Sequence, residues 1–343
     1  MIDLEKYGYF EIETPPEGIS PGRVTSVHRE RYELMTPFGS RFSRLKTGVY
    51  YGDGSETFPT VGDFVWFREG AGGDGQIVRT LQRKSQFIRR DPYVGNQAVA
   101  ANIDYVFIMT SLNRDFNINR VERYLVLARQ SGAVPVIVLT KADLIDNYET
   151  QVASLQKIAG ETDIVPVSVV CGVGFDKLCD YLLPGVTVVF LGMSGVGKSS
   201  MINALMGEDV MAVNEIRADD SRGRHTTTHR QLFMLPSGAM VIDTPGMRSL
   251  GMWDAGEGVS ETFADVEALL GTCRFSDCRH ETEPGCAILK AIDSGELSTD
   301  RWVNYTNLQR EALYAVDKTA ALHDKWAKNK AIAKWSRQMK KNR

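Results

Sequence analysis

Between Gly22 and Thr80 polar and apolar residues alternate in short runs, GRVTSVHRERYELMT, GSRFSRLKTGVYY, DGSETFPTVGDFVWF and GQIVRTLQ. The runs are rich in Val, Tyr, Phe and Thr and are split by PFG, GDG and GAGGDG. A period of two with turn residues between runs predicts a small antiparallel β-barrel of five or so strands, OB-like in size. Further on the pattern changes. DYVFIMTSL (104–112), VPVIVLTKADL (134–144), TDIVPVSVV (162–170) and VTVVFLGMSG (186–195) are apolar runs, and RQLFMLP and AMVIDTPG add a final pair. NINRVERYLVLARQSG, a stretch from Tyr148 to Ala159, GFDKLCDYLL and KSSMINALMG carry helical spacing between them. This alternation predicts an α/β sheet, mostly parallel and covered on both faces. Residues 252–343 are mostly helical by pattern, and the first twenty, with their Pro, Glu and Gly, are expected to be loosely ordered in part. The predicted boundaries are a barrel over 1–94, an α/β domain over 95–251 and a helical domain over 252–343.

A length of 343 residues fits two or three domains, and 43% hydrophobic with 24% charged residues is ordinary for a globular protein. No apolar stretch of about twenty residues appears, so no membrane span is expected. The start, MIDLEKYGYFEIETPPEG, is acidic and lacks an apolar signal core, which points to the cytoplasm. The net charge of −3 hides segregation: Lys325–Arg343 holds eight Lys/Arg and no acid, whereas Met252–Asp324 holds fourteen acidic against six basic residues. RTLQRKSQFIRR (79–90) adds five basic residues. Such patches leave room for a polyanion partner.

The candidate chemistry begins at GMSGVGKSS (192–200), a G-x-x-x-x-G-K-[ST] phosphate-binding pattern between an apolar strand and a helix. Gly192, Met193, Ser194, Gly195, Val196 and Gly197 form the loop, whose N–H groups and following helix end favour phosphate. Lys198 is placed to reach the β- and γ-phosphates, Ser199 to give its hydroxyl to Mg²⁺, and Ser200 completes the nucleotide-binding stretch. VIDTPG (241–246) ends a strand with Asp243, able to hold Mg²⁺ through water, and Gly246, able to offer its N–H to the γ-phosphate. TKAD (Thr140, Lys141, Ala142, Asp143) follows the strand VPVIVL. A carboxylate at Asp143 accepts from the N1–H and exocyclic amine of guanine, a donor pair adenine lacks, so GTP is favoured over ATP. Lys141 can lie along the base. Thr140 stands where Asn is more usual, so its support to the phosphate loop must come from a hydroxyl.

The order is unusual. The guanine-reading Asp143 comes first, then Ser168 at a strand end, then the P-loop, the switch region and DTPG. This is the GTPase cycle of motifs opened at another point, so the domain is read as circularly permuted. In this order DTPG leads into the C-terminal region, so hydrolysis can move that region directly. The sequence TKAD…GMSGVGKSS…DTPG, with a small β-barrel before it, Cys/His spacing after it and GRHTTT at 223–228, resembles the ribosome-small-subunit-dependent GTPase A (RsgA/YjeQ) family from about Gly22 to about Arg310. The resemblance implies a multidomain α/β protein: an OB-like barrel, a permuted P-loop GTPase domain and a mostly helical zinc-binding domain. It also implies a GTPase acting late in maturation of the bacterial small ribosomal subunit. The implied partners are GTP and GDP, the small subunit with its 16S rRNA, and other assembly factors; a monomer is expected. Thr140, SVVCGVG and the first twenty residues depart from the family pattern.

Where Ras-like enzymes carry a water-orienting Gln after DxxG, this chain has Met247, so slow intrinsic hydrolysis is expected. GRHTTTHR offers substitutes: one of Thr226, Thr227 and Thr228 as a Mg²⁺ ligand, and His225 as a catalytic group that positions water. The alternative for His225 and His229 is a solvent-facing or RNA-touching role. Of five cysteines, three fall within CRFSDCRHETEPGC, giving Cys273, Cys278, His280 and Cys286 as a closed set suited to structural Zn²⁺. Cys171 and Cys179 have no such partners. Two other readings stay open: a slow GTP-switched rRNA-binding module, and C-terminal helices that dock a protein.

Overall fold

The computed structural model describes residues 1–10, 13–51, 56–70, 72–91, 95–113, 115–209, 230–243 and 256–313. Strands β1 (Ser20–Val27), β2 (Tyr32–Thr36), β3 (Gly39–Leu45), β4 (Phe64–Arg68) and β5 (Gly75–Thr80) close into a barrel in the order β1-β2-β3-β5-β4 and back to β1. All the pairings are antiparallel except β3 with β5. Closure removes the sheet edges. A register shift between Val24 and Ser26 bends β1 so that it pairs with β4 through its first half and with β2 further along. The alternating apolar positions point inward: Val24, Tyr32, Leu34, Val65, Phe67 and Ile77 are buried together. Tyr50, on the short helix α1 (Thr47–Tyr50), joins this core and reaches Thr80 Oγ1 at 2.9 Å through its hydroxyl.

The N-terminus is better packed than its composition predicts. Asp3 caps a 3-10 turn over Leu4–Tyr7, and Leu4 and Tyr9 are buried against Phe64. A hairpin of β6 (Gln86–Asp91) and β7 (Gly95–Ala101) follows the barrel, an element the sequence pattern did not signal.

The second sheet comprises β8 (Tyr105–Ser111), β9 (Val134–Thr140), β10 (Ile164–Val167), β11 (Thr187–Leu191), β12 (Gln231–Met234) and β13 (Met240–Asp243). Their order is β10-β9-β8-β11-β13-β12, parallel except for β12. Helices α2 (Ile118–Gln130) and α3 (Glu149–Ala159) pack on one face. On the other, α4 (Phe175–Cys179) and α5 (Lys198–Met206) bury Leu178, Met201 and Ile202 against Phe107, Val136, Val165 and Phe190. Burial on both faces explains why these strands read as continuous apolar runs. β12 also pairs with β1 at Ser26↔Gln231, so barrel and sheet are one hydrogen-bonded system of eleven strands.

That junction is built around Arg23, 1% exposed. Its guanidinium donates to Gly62 O (3.3 Å), Asn102 O (3.2 Å), Thr187 Oγ1 (2.8 Å) and Tyr7 O, and lies 4.9 Å from the Phe64 ring centre. Burial lowers its pKa to about 10, with Asp104 and Asp63 opposing the shift. Gly62 has φ +90°, and a Cβ there would stand 2.1 Å from Ala101 O, so the joint requires glycine.

By internal packing the chain divides into two units, Met1–Arg89 with Gln97–Leu250, and Arg90–Asn96 with Gly251–Arg343. In the second, α6 (Gly256–Thr262), α7 (Ala264–Leu269), α8 (Ala287–Asp293) and a helix over 299–313 surround Phe263 and Tyr305. Arg301 forks onto Asp265 at 2.6 and 2.7 Å while lying over the Phe263 ring. Among the described residues no helix is long and apolar enough to cross a membrane.

Candidate functional site

Parallel registry sets the site. Ser111 of β8 lies level with Thr140 of β9, Thr140 with Val167 of β10, and Ile108 of β8 with Leu191 of β11. The loops that leave these strands therefore converge at one edge of the sheet, where open α/β sheets bind ligands. Asp243, the last residue of β13, ends at the same edge.

Strand β11 is buried throughout and delivers the chain into the loop Gly192–Gly197. Only glycine fits at 192, because a Cβ would approach Met109 O to 2.8 Å. Gly195 and Gly197 take positive φ, and α5 starts directly afterwards at Lys198. The first-turn N–H groups of such a helix have no intrahelical acceptors. Lys198 Nζ donates to Gly192 O and Met193 O, each at 2.7 Å, so the loop's own carbonyls hold the ammonium over the cradle. Ser199 and Ser200 lie half-buried in the first turn.

The TKAD loop is tied to this cradle by two bonds. Thr140 Oγ1 donates to Val196 O at 2.7 Å, and Lys141 Nζ donates to Gly195 O at 2.9 Å. Lys141 adopts a left-handed backbone (φ 59°), and Asp143 follows in the short turn Ala142–Leu144. Ser168 Oγ donates to Asp143 Oδ1 at 2.5 Å and accepts from Val170 N (3.2 Å) and Cys171 N (3.3 Å). That hydroxyl is therefore fully used by protein, and it fixes the direction of the Asp143 carboxylate. The structure thus brings Thr140, Lys141, Asp143, Ser168 and the P-loop together. His225, Thr226, Thr227, Thr228, Gly246 and Met247 lie outside the described residues, as does the basic tail.

Two features of the site were not read from the sequence. Val169, beside Ser168, has a backbone N–H with no acceptor among the described residues. A cleft next to the P-loop is lined by Ser111, Asp115, Arg120, Tyr124, Met193 and Ser194. Nothing in INRVERY marks Arg120 as a neighbour of Met193 and Ser194; only the packing of α2 beside β8 puts it there.

The basic run 79–90 proves partly neutralised from within. Arg79 pairs with Glu13 (2.8 Å), Arg83 with the buried Asp63 (2.7 Å) and Lys84 with Asp104. An exposed aromatic surface lies on the barrel, where Arg31, paired with Asp74, covers Phe42 at 4.3 Å and His28 stands 6.2 Å from the same ring.

In the second unit the donor atoms of Cys273, Cys278, His280 and Cys286 all lie within 4.8 Å of one another. Cys273 Sγ is 3.5 Å from His280 Nδ1 and 4.0 Å from Cys286 Sγ, and His280 Nδ1 is 3.4 Å from Cys286 Sγ. Bonds of about 2.3 Å to sulfur and about 2.0 Å to nitrogen imply tetrahedral edges of roughly 3.5–3.8 Å. The four residues therefore fit a zinc ion, bound through Nδ1 of His280. The Ala287 N–H, 3.3 Å from Cys273 Sγ, pulls that thiol below its ordinary range. His280 takes φ 63° in a turn clasped by Glu283, whose carboxylate accepts from the N–H groups of Arg279, Glu281 and Thr282 and is drawn down to about 2. The His280 ring stands edge-on to Trp302, 5.5 Å between centres.

Comparison with known proteins agrees with this geometry. The RsgA GTPase family model matches residues 80–253. A small ribosomal subunit biogenesis GTPase RsgA 1 from Listeria innocua is 45% identical over 320 residues, 92% of this chain and 91% of its own. The RsgA of Opitutus terrae is 40% identical over 332 residues, covering 91% and 90%. Among solved structures, YjeQ from Thermotoga maritima superposes with a TM-score of 0.62 at 27% identity, over 86% of this chain and 99% of that one. YloQ, described as a circularly permuted GTPase, matches in fold at TM-score 0.59 and 24% identity, over 89% and 99%. With an OB-like barrel, a permuted order of strands and a TKAD loop bonded to the loop Gly192–Gly197, the chain belongs to the RsgA GTPase family.

Proposed function

We propose that the protein hydrolyses GTP to GDP and phosphate on the small ribosomal subunit, as a late assembly factor and checkpoint in the cytoplasm. The observation that carries the chemistry is the seating of TKAD on the P-loop through Thr140 and Lys141, with Asp143 aimed by Ser168. In this reading Asp143 accepts from guanine N1–H and the amine, the Val169 N–H meets O6, and the stem of Lys141 covers the base. The amides of Ser194–Ser199 surround the β-phosphate, and Lys198 exchanges two loop carbonyls for β- and γ-phosphate oxygens. Mg²⁺, held by Ser199, one of Thr226, Thr227 and Thr228, and Asp243 through water, would neutralise charge between the β- and γ-oxygens. Gly246 offers its N–H to the γ-phosphate, and His225 orients the attacking water where Met247 cannot.

Three functional parts follow: the barrel (1–94) and the zinc-bearing region (252–343) grip 16S rRNA, and residues 95–251 bind and hydrolyse nucleotide. The Arg31–Phe42–His28 surface supports the first role, since cations and exposed rings suit phosphate and base stacking. Zinc would fix the loop 273–286 through Cys273, Cys278, His280 and Cys286. The test is GTP turnover with and without purified small subunits, with Lys198→Ala as control. A large rise with subunits, lost in the control, is expected. Subunit binding that depends on GTP but brings no rise would favour the slow switch that Met247 allows.

A further inference from the structure

We infer that the guanine pocket of this protein reads the six-membered-ring edge of the base and is blind to N7. The inference rests on the guanine-site reading above and on one count of protons. A hydroxyl has a single proton to donate, whereas a side-chain amide has two. Thr140 is buried at the end of β9, and its proton is directed to Val196 O at 2.7 Å; the next nearest partner, Thr110 O at 3.5 Å, is also an acceptor. Ser168 likewise spends its proton on Asp143 Oδ1. Both hydroxyls on the guanine side are therefore exhausted as donors before any nucleotide enters.

A base held by Asp143 at N1 and N2, and drawn toward the P-loop through its ribose, brings its imidazole edge to the seam between the two loops. Thr140 occupies that seam. Guanine N7 is an acceptor only, so it needs a donor there, and Thr140 Oγ1 has lone pairs left but no hydrogen. Turning the hydroxyl toward N7 would strand the Val196 carbonyl, in a loop residue that is 4% exposed, and release the tether between TKAD and the P-loop. An asparagine at this position would keep one N–H on Val196 O and offer the other to N7. Specificity for guanine then rests on Asp143 and the Val169 N–H, neither of which touches the five-membered ring.

The test is equilibrium competition between GTP and 7-deaza-GTP, which carries C–H in place of N7, on the full chain with Mg²⁺. The two should bind within about threefold of each other; a larger loss for 7-deaza-GTP would overturn the inference, since one hydrogen bond is typically worth that much or more. In Thr140→Asn, GTP should exceed 7-deaza-GTP by more than that same threefold or so. An asparagine variant that binds both alike would mean position 140 does not face N7, and the inference falls. Should that variant not fold, the wild-type ratio decides alone. The underlying reading is checked apart from this, with GTP against ATP and with xanthosine triphosphate on Asp143→Asn. Failure there removes the guanine site itself, whereas normal guanine selectivity with strong N7 dependence removes only the present inference.

Discussion

Replacing Arg23 with methionine tests how barrel and sheet are joined. The substitution keeps most of the stem volume and removes the guanidinium. Four oxygens lose a donor, Gly62 O, Asn102 O, Tyr7 O and Thr187 Oγ1, and of these Gly62 O keeps the Asn102 Nδ2 at 3.1 Å. Hydrogen bonds from a charged group contribute about 1.5–3 kcal/mol each, and with Gly62 O still partnered the gross loss is about 7 kcal/mol. Part of this is recovered, because the charge no longer has to be buried. Burial, working against Asp104 and Asp63, lowers the guanidinium pKa to about 10, and that net lowering corresponds to roughly 3 kcal/mol. Asp63 and Asp104, whose charges act on Arg23, keep Arg83 and Lys84 as partners, so no anion is stranded. The net expectation is a loss of about 4 kcal/mol, at the upper end for a single substitution. Urea unfolding followed by tryptophan fluorescence would measure it, with Arg23→Lys, which keeps charge without the planar fork, falling between. A methionine variant within about 1 kcal/mol of the parent would refute the reasoning, since the carbonyls would then have found other donors or never depended on this one.

Other outcomes follow from the same structure. Thr140→Val keeps the shape of the side chain but strands Val196 O, so GTP affinity should fall roughly fivefold to tenfold in equilibrium titration. The preference for guanine over adenine should stay intact. Cys286→Ser, or a strong chelator, should release one zinc per chain by metal analysis and abolish the cooperative unfolding of the region that carries it, because a structural ion's binding energy is folding energy. Asp74 is held below the usual carboxylate range by hydrogen bonds from Arg31 and Arg44. A folded-state pKa lowered in this way gives stability that is present above the ordinary Asp pKa and is lost as pH falls below it. Asp74→Asn should therefore cost stability at pH 7, a cost that fades as pH falls through the lowered folded-state pKa, and the difference should shrink in high salt.

Much of the fold was legible because periodicity survives burial. The runs at 104–112, 134–140 and 186–191 are apolar on both faces, and both faces of their sheet are covered. The barrel was legible from its period of two, and the permutation from motif order alone. What composition hid was pairing across long sequence distance. The Pro- and Glu-rich start reads as loose, yet Leu4 and Tyr9 find Phe64 some sixty residues on. RTLQRKSQFIRR reads as a basic patch, yet three of its five charges are met by Glu13, Asp63 and Asp104, which no local pattern connects to it. TKAD was legible as chemistry, and Thr140's need to act through a hydroxyl followed from its identity. That its proton goes to Val196 depends on the closeness of β9 to the P-loop. The Val169 N–H has no sequence signature, since every residue but proline carries one.

The position of Arg23 also bears on biosynthesis. Its cage is assembled from Tyr7, Gly62, Asn102, Thr187 and Met240, and the last two lie 164 and 217 positions downstream. On a ribosome adding about 5–20 residues each second, the barrel strand carrying Arg23 emerges many seconds before Thr187 and Met240. Until β11 and β13 arrive, the guanidinium has only Tyr7 O, Gly62 O, Asn102 O and the Phe64 ring to meet, its remaining side is open to water, and the barrel has no sheet to dock on. The nascent chain can build β8, β9 and β10 outward, add β11 and β13 along the free edge of β8, and only then swing β12 against β1. Burial of a single cation is thus a late event in the life of each molecule, and it marks the point at which two separately made parts become one.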